Sequence, residues 1–253
     1  MNKRNRMLCL FAALVFGLVG SGLVRGAAPD GLVFLMMFDE GDGDTAHDSS
    51  EFGNDGVIEG KEDWVDGQFK GGFHFDGSTH ITVENAEPLS KLIHPMSVGG
   101  WVKPDILGGW RNIMEMDGSA GWKMGFHDSH AIAWTTYHVQ DFVSQTPIET
   151  EVWTHVCATW DGAEAIVYVN GEPDNPMGGG GVINVEGEPS LDIGWRRTTG
   201  VSTFEGGMDE LFIFNKVLEQ DEIQDLMKGF VDMLAVEPEA KLVTTWGDLK
   251  ALR

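Results

Sequence analysis

Cysteine is nearly missing from this sequence: Cys9 and Cys157 are the two present in 253 residues. Cys9 falls in an apolar stretch near the start of the chain. Met7-Leu8 stands before it, where a lipidated cysteine would follow small residues. Once that stretch is removed, Cys157 is left alone and no intramolecular disulfide can staple the fold. It lies in an apolar segment and reads as a buried, inert thiol. Cations are scarce as well, with 17 Lys and Arg against 40 Asp and Glu and a net charge of −23. Such a surface repels phosphates and anionic lipid, which excludes nucleic acid and anionic membranes as partners. Beyond the first 24 residues no apolar run approaches the length that spans a bilayer. There is no strand–helix–strand rhythm, internal repeat, phosphate loop or readable Ser-His-Asp arrangement.

What the first residues do contain is a basic head, Met1 to Arg6, an apolar run from Met7 to Val24, and small residues at Gly26-Ala27-Ala28. This order is that of a secretory signal peptide over residues 1–26, cut after Gly26. The alternative is a leader retained as an anchor. Cleavage removes Lys3, Arg4, Arg6 and Arg25 but no acid, taking the net charge from −23 to −27. The expected location is secreted, cell-surface or periplasmic, without membrane insertion after cleavage.

The rest is dominated by short strand signals. An apolar run at Gly31 to Phe38 ends at the turn-prone Asp39-Glu40-Gly41. Residues 44–68 are polar and glycine-rich. Strands are expected at 73–75, 81–83, 97–102, 112–116, 122–126, 131–135, 153–160, 165–170, 190–194 and 207–214. Asp161-Gly162 and Asn170-Gly171 supply turns between the clearest of them. One helix follows from Leu218, Ile223, Leu226 and Met227, with acids early and Gly229 as a stop. The expected class is therefore all-β, with one short C-terminal helix.

Several segments then align with one family. Phe38-Asp39-Glu40-Gly41, Asp48-Ser49-Ser50, Asn54-Asp55-Gly56 and Gly71 to Gly77 resemble the opening of bacterial laminin-G-like domains. The most specific piece is Trp153 to Gly162 followed by Val167 to Gly171, and Gly206 to Phe214 completes the order. The resemblance is to the laminin-G-like (LamG) members of the concanavalin A-like lectin/glucanase superfamily. It implies a two-sheet antiparallel jelly-roll sandwich over residues 27–232, with a tail at 233–253. Members bind glycans or proteins, accompany hydrolases or join surface assemblies, so the fold alone leaves function open.

Three chemistries are weighed on the residues. In the implied fold the first and last strands pair antiparallel, bringing Asp39 and Asp209 to one end of a sheet. Paired carboxylates call for a proton or a cation. Oxygen donors from these two, with Asn54 and Asp76, suit a structural calcium, against the alternative that they cap turns. Trp110-Arg111 and Trp195-Arg196 each follow a glycine, so both tryptophans are expected on loops as sugar platforms beside arginine donors. That pairing favours an acidic or sulfated glycan; the bland reading is packing beneath loops. His127-x-x-His130 has no cysteine beside it and does not make a zinc site. For catalysis, Glu115-Met116-Asp117 begins a glucanase-like spacing but lacks its second Glu. The expectation is a non-catalytic module recognising a glycan or glycosylated partner. The alternatives are an adhesive, protein-binding component of an extracellular assembly and, more distantly, a divergent glycoside hydrolase or lyase.

Overall fold

Apolar and polar patterning sorts about half of the described residues into strands. The structure, a computed structural model, describes residues 28–84, 88–116, 121–179, 183, 190–197, 200 and 202–234. The expected leader and residues 235–253 lie outside them. In chain order the strands are β1 (Leu32–Met36), β2 (Thr45–Ala46), β3 (Gly56–Glu59), β4 (Trp64–Asp66), β5 (Gly71–Asp76), β6 (His80–Val83), β7 (Met96–Pro104) and β8 (Arg111–Met116). They continue as β9 (Trp122–Phe126), β10 (Ala131–Thr136), β11 (Gln140–Pro147), β12 (Thr154–Trp160), β13 (Glu164–Val169), β14 (Glu172–Gly178), β15 (Leu191–Ile193) and β16 (Glu205–Phe214). Helices α1 (Gln220–Leu226) and α2 (Phe230–Leu234) follow.

Two antiparallel sheets result. The first runs β14-β13-β12-β7-β16-β5-β4, with β1 also on β16; the second runs β11-β10-β9-β8-β15-β6-β3-β2. Their facing sides hold a core that includes Phe34, Phe73, Phe75, Met114, Trp122, Trp134, Trp160 and Met208. This is the jelly-roll sandwich that the family resemblance implied. The outer side of the first sheet is also covered. Leu35, Cys157, Phe212 and Phe214 pack there against Ile223, Leu226, Phe230 and Leu234 of the two helices. Helix α1 occupies the expected segment and opens on a capping box between Glu219 and Glu222. Helix α2 follows it on the same side of the sandwich.

The polar, glycine-rich stretch 44–68, for which no strand was expected, holds β2, β3 and β4. One buried carboxylate explains why it folds. Asp48 Oδ1 accepts the backbone N–H groups of Leu35 and Ser50, and Oδ2 accepts the Ser50 hydroxyl and the Asn54 N–H. Four donors on one side chain replace the apolar contacts that this segment cannot make. Strands β11 and β14 were likewise missed: each lies at an edge of its sheet, where one face can stay polar.

Candidate functional site

No helix among the described residues covers the outer side of the second sheet. Period-two alternation decides what stands there. In β9, Trp122, Met124 and Phe126 enter the core, which leaves Lys123 and Gly125 facing out. The registers then line up one polar row across six strands: Thr82, Asp192, Glu115, Lys123, Thr135 and Asp141. At about 4.8 Å per strand step the row is about 24 Å long.

Over the Lys123–Asp141 half of this row lies a cavity of about 460 Å³, with Trp110, Tyr137 and Arg196 among its walls. Glu115 is the anchor beneath it, with none of its surface exposed. Its Oε1 accepts the Tyr137 hydroxyl at 2.8 Å and lies 3.5 Å from Arg196 Nε; its Oε2 accepts Asn112 Nδ2. Burial pushes the Glu115 pKa up, opposed by Tyr137, Arg196, Lys123 and Asn112. Burial and then the adjacent Glu115 charge also raise the Tyr137 pKa, so the phenol stays protonated and donates. The Arg196 guanidinium lies 5.3 Å from the centre of the Tyr137 ring. Lys123 Nζ sits 4.0 Å from the centroid of the Trp110 ring, whose edge meets His127 in a T-shaped contact at 4.7 Å.

Two of the four expected sugar-site residues, Trp110 and Arg196, thus wall one cavity. The other two do not. Trp195 stacks on His80 with ring centres 3.7 Å apart. Arg111 is a strut: it donates to the carbonyls of Gly108 and Thr203 and pairs with Glu205 at 3.3 Å. The expectation of two equivalent Trp-Arg units fails because neighbouring residues on extended chain diverge. The fold instead joins a tryptophan from one segment to an arginine from the other. Sequence reasoning missed Lys123, although a lysine interrupting Trp122-Lys123-Met124 was a legible sign of an outward position.

The expected calcium set does not assemble. Asp39 and Asp209 do approach through the β1–β16 pairing, but the 67–71 turn separates their roles. Asp39 accepts the Gly71 N–H and pairs with Lys70 at 3.2 Å, while Asp209 Oδ2 accepts the Phe69 N–H. Asp76 caps the turn at Ser78-Thr79, and those hydrogen bonds hold its pKa well below the carboxylate range. The Asn54 backbone is bound to Asp48. Among the described residues no three His, Cys, Asp or Glu side chains converge to hold a metal. Among the described residues three carboxylate oxygens are buried without a hydrogen-bond partner: Glu40 Oε2, Asp209 Oδ1 and Glu210 Oε2, the last two on side chains that are themselves buried. Burial raises Asp209 to about 8 and Glu210 to about 7.

The second carboxylate missing from the glucanase-like spacing does exist in space, as Asp192 across the β8–β15 register from Glu115. Burial raises it to about 6, with Glu115 and Glu84 adding. Only 2% of Asp192 is exposed, and it accepts the Ser190 hydroxyl. The pair is packed beneath the site and holds donors in place.

Solved structures share this architecture. Domain 4 of AbnA, an extracellular GH43 arabinanase from Geobacillus stearothermophilus solved with arabinotriose, is 21% identical, with a TM-score of 0.62. The match covers 77% of this chain and 97% of that one. The binding domain of botulinum neurotoxin serotype D/C is 15% identical with a TM-score of 0.63, over 79% of this chain and 52% of that one. Trypanosoma rangeli sialidase, solved with sialic acid, is 17% identical with a TM-score of 0.60, over 83% and 35%. At these identities the likeness shows the fold, and the chain spans about half and a third of the latter two. No curated protein matches the sequence. The laminin-G-type family model described as "Concanavalin A-like lectin/glucanases superfamily" matches residues 75–224, more than half of the chain. With that match and the two-sheet jelly roll together, the chain belongs to the concanavalin A-like lectin/glucanase superfamily.

Proposed function

We propose that this protein is a non-catalytic carbohydrate-binding module working outside the cytoplasm, with its ligand in the Trp110–Arg196 cavity. The observation that carries the reading is an indole, a guanidinium and an ammonium gathered over the one sheet face that no described helix covers. Trp110 offers the apolar surface a sugar ring needs, and Arg196, Tyr137 and Gln140 offer polar groups for hydroxyls. Similar folds solved with arabinotriose and sialic acid support the class of ligand. Export agrees with the expected leader, and no described helix is long and apolar enough to cross a membrane.

A glycan array followed by calorimetry tests this. Trp110→Ala should weaken binding by about 1–3 kcal/mol and leave the melting temperature nearly unchanged. Retention of every ligand by that variant places the site elsewhere. The adhesive alternative needs an apolar patch, and the exposed Phe52, Val57, Val65, Ile93, Ile106 and Val152 do not wall the cavity.

Calcium, as a structural ion, narrows to the orphan oxygens of Asp209 and Glu210, which backbone carbonyls and water would have to supplement. Supporting it requires a calcium-dependent rise in melting temperature that Asp209→Asn abolishes. Superimposable melts with calcium and with chelator remove it.

A further inference from the structure

The cavity contains a buried cation that no acceptor among the described residues meets at hydrogen-bond distance: burial lowers the Lys123 pKa, and Glu115 and Asp141 oppose that only through space. Lys123 is 6% exposed, and its ammonium makes no hydrogen bond or ion pair among the described residues. Its neighbour is the face of Trp110 at 4.0 Å. An ammonium carries three donors, and withdrawing it from water without an acceptor is costly. The carboxylates nearby, Glu115 and Asp141, favour its charge through space but spend their hydrogen bonds on other groups. Glu115 gives one oxygen to Tyr137 and the other to Asn112, and Asp141 accepts the Thr135 hydroxyl at 2.6 Å. Arg196 stands at the same cavity with its side chain 29% exposed.

The wider charge pattern points the same way. Acids outnumber cations 40 to 17 in this chain. Yet the arginines of the described residues, Arg111, Arg196 and Arg197, all border this sheet face, following β7 or β15. Arg111 and Arg197 are neutralised by Glu205 and Glu84. Lys123 and Arg196 are the two that face the cavity.

We propose that the saccharide taken by this cavity is anionic, a sugar bearing a carboxylate or a sulfate whose charge meets Lys123 Nζ beside the Trp110 indole. The inference rests on the carbohydrate reading above and adds the chemical class of the sugar. A ligand that seals the cavity removes what remaining access to solvent the ammonium has. A neutral sugar then leaves the charge only partly compensated, whereas an anion supplies both acceptor and countercharge. The acidity of the rest of the molecule does not prevent this. At physiological salt its field fades over about 8 Å, while Lys123 acts at hydrogen-bond distance.

The test uses matched pairs on the intact protein: trisaccharides of galacturonate, glucuronate and mannuronate, each beside its methyl ester, and a sulfated galactan trisaccharide beside its desulfated form. Calorimetry should show at least one charged member binding about tenfold or more tighter than its neutral twin, with the gap shrinking as salt rises. The uronate and sulfate arms show which anion is preferred. Lys123→Met keeps the stem and removes the charge, so it should bring the charged member down to the level of the neutral one. Trp110→Ala should weaken both members together. Neutral members binding as tightly as charged ones in the unaltered protein would overturn the anionic assignment and leave the carbohydrate reading standing, without relying on a variant. A preference that survives Lys123→Met in folded protein would also overturn it. Absence of binding to any saccharide on a broad array would remove both.

Discussion

Replacing Glu115 with alanine should be among the most damaging single changes on the uncovered sheet face. The side chain has no exposed surface and holds three groups: the Tyr137 hydroxyl at 2.8 Å, the Asn112 amide and, at 3.5 Å, the Arg196 guanidinium. Lys123 stands directly across the strand register. Removing the carboxylate leaves these donors without their acceptor in a dry setting, a change that costs about 3–5 kcal/mol when one partner of a buried pair is deleted. Burial already raises the Glu115 pKa, so part of the attraction offsets desolvation and the lower end of that range applies. For a domain of this size about 3 kcal/mol lowers the melting temperature by about 6–12 °C. Glu115→Gln keeps the shape and an acceptor and should cost about 1–2 kcal/mol. Calorimetric melts of both variants at pH 7, with urea titration as a second probe, measure this. The reasoning fails if alanine costs less than about 1 kcal/mol, or if glutamine is as harmful as alanine. Saccharide affinity should fall in both, since Tyr137 and Arg196 lose the group that orients them.

His155 predicts an acid sensitivity. It is buried between Trp101 and Phe212, and burial pushes its pKa down to about 3. The folded state therefore holds it neutral, while the unfolded chain takes up a proton below about pH 6.5. The stability it contributes is complete above that pH and is lost as pH falls toward 3, amounting to about 2–3 kcal/mol at pH 4.5. Equilibrium unfolding of His155→Phe should lose less stability between pH 7 and 4.5 than the parent, and parallel curves would refute the assignment. Export predicts that amino-terminal sequencing of secreted protein begins at Ala27, against which a membrane-bound product starting at Met1 would count.

Much of the fold was legible because a strand advertises itself locally. Trp122 to Phe126 alternates cleanly, and Asp161-Gly162 and Asn170-Gly171 mark turns where Gly162, Asn170 and Gly171 do take positive φ values of 97°, 51° and 75°. The segments that sequence reading passed over, β2 to β4, β11 and β14, lack that local signature. Edge strands β11 and β14 pair with the strand just before them, yet their exposed polar residues mask the alternation. The 44–68 stretch leans on one buried carboxylate, as when Asp48 binds Leu35 across 13 positions.

The sequence by itself determined the all-β class, the family and the acidic character, and it singled out Trp110 and Arg196 as candidates. Strand periodicity, turn chemistry and composition are properties of neighbours in the chain, and they can be read without a fold. Only the tertiary structure decided that Trp110 shares a wall with Arg196 and not with Arg111. It likewise seated Lys123 without an acceptor beside the indole, and it placed Asp192 opposite Glu115 while keeping Asp76 and Asn54 away from Asp39. Those outcomes depend on which strands pair and in what register, and a shift of one residue would send Lys123 into the core and Trp122 to the surface.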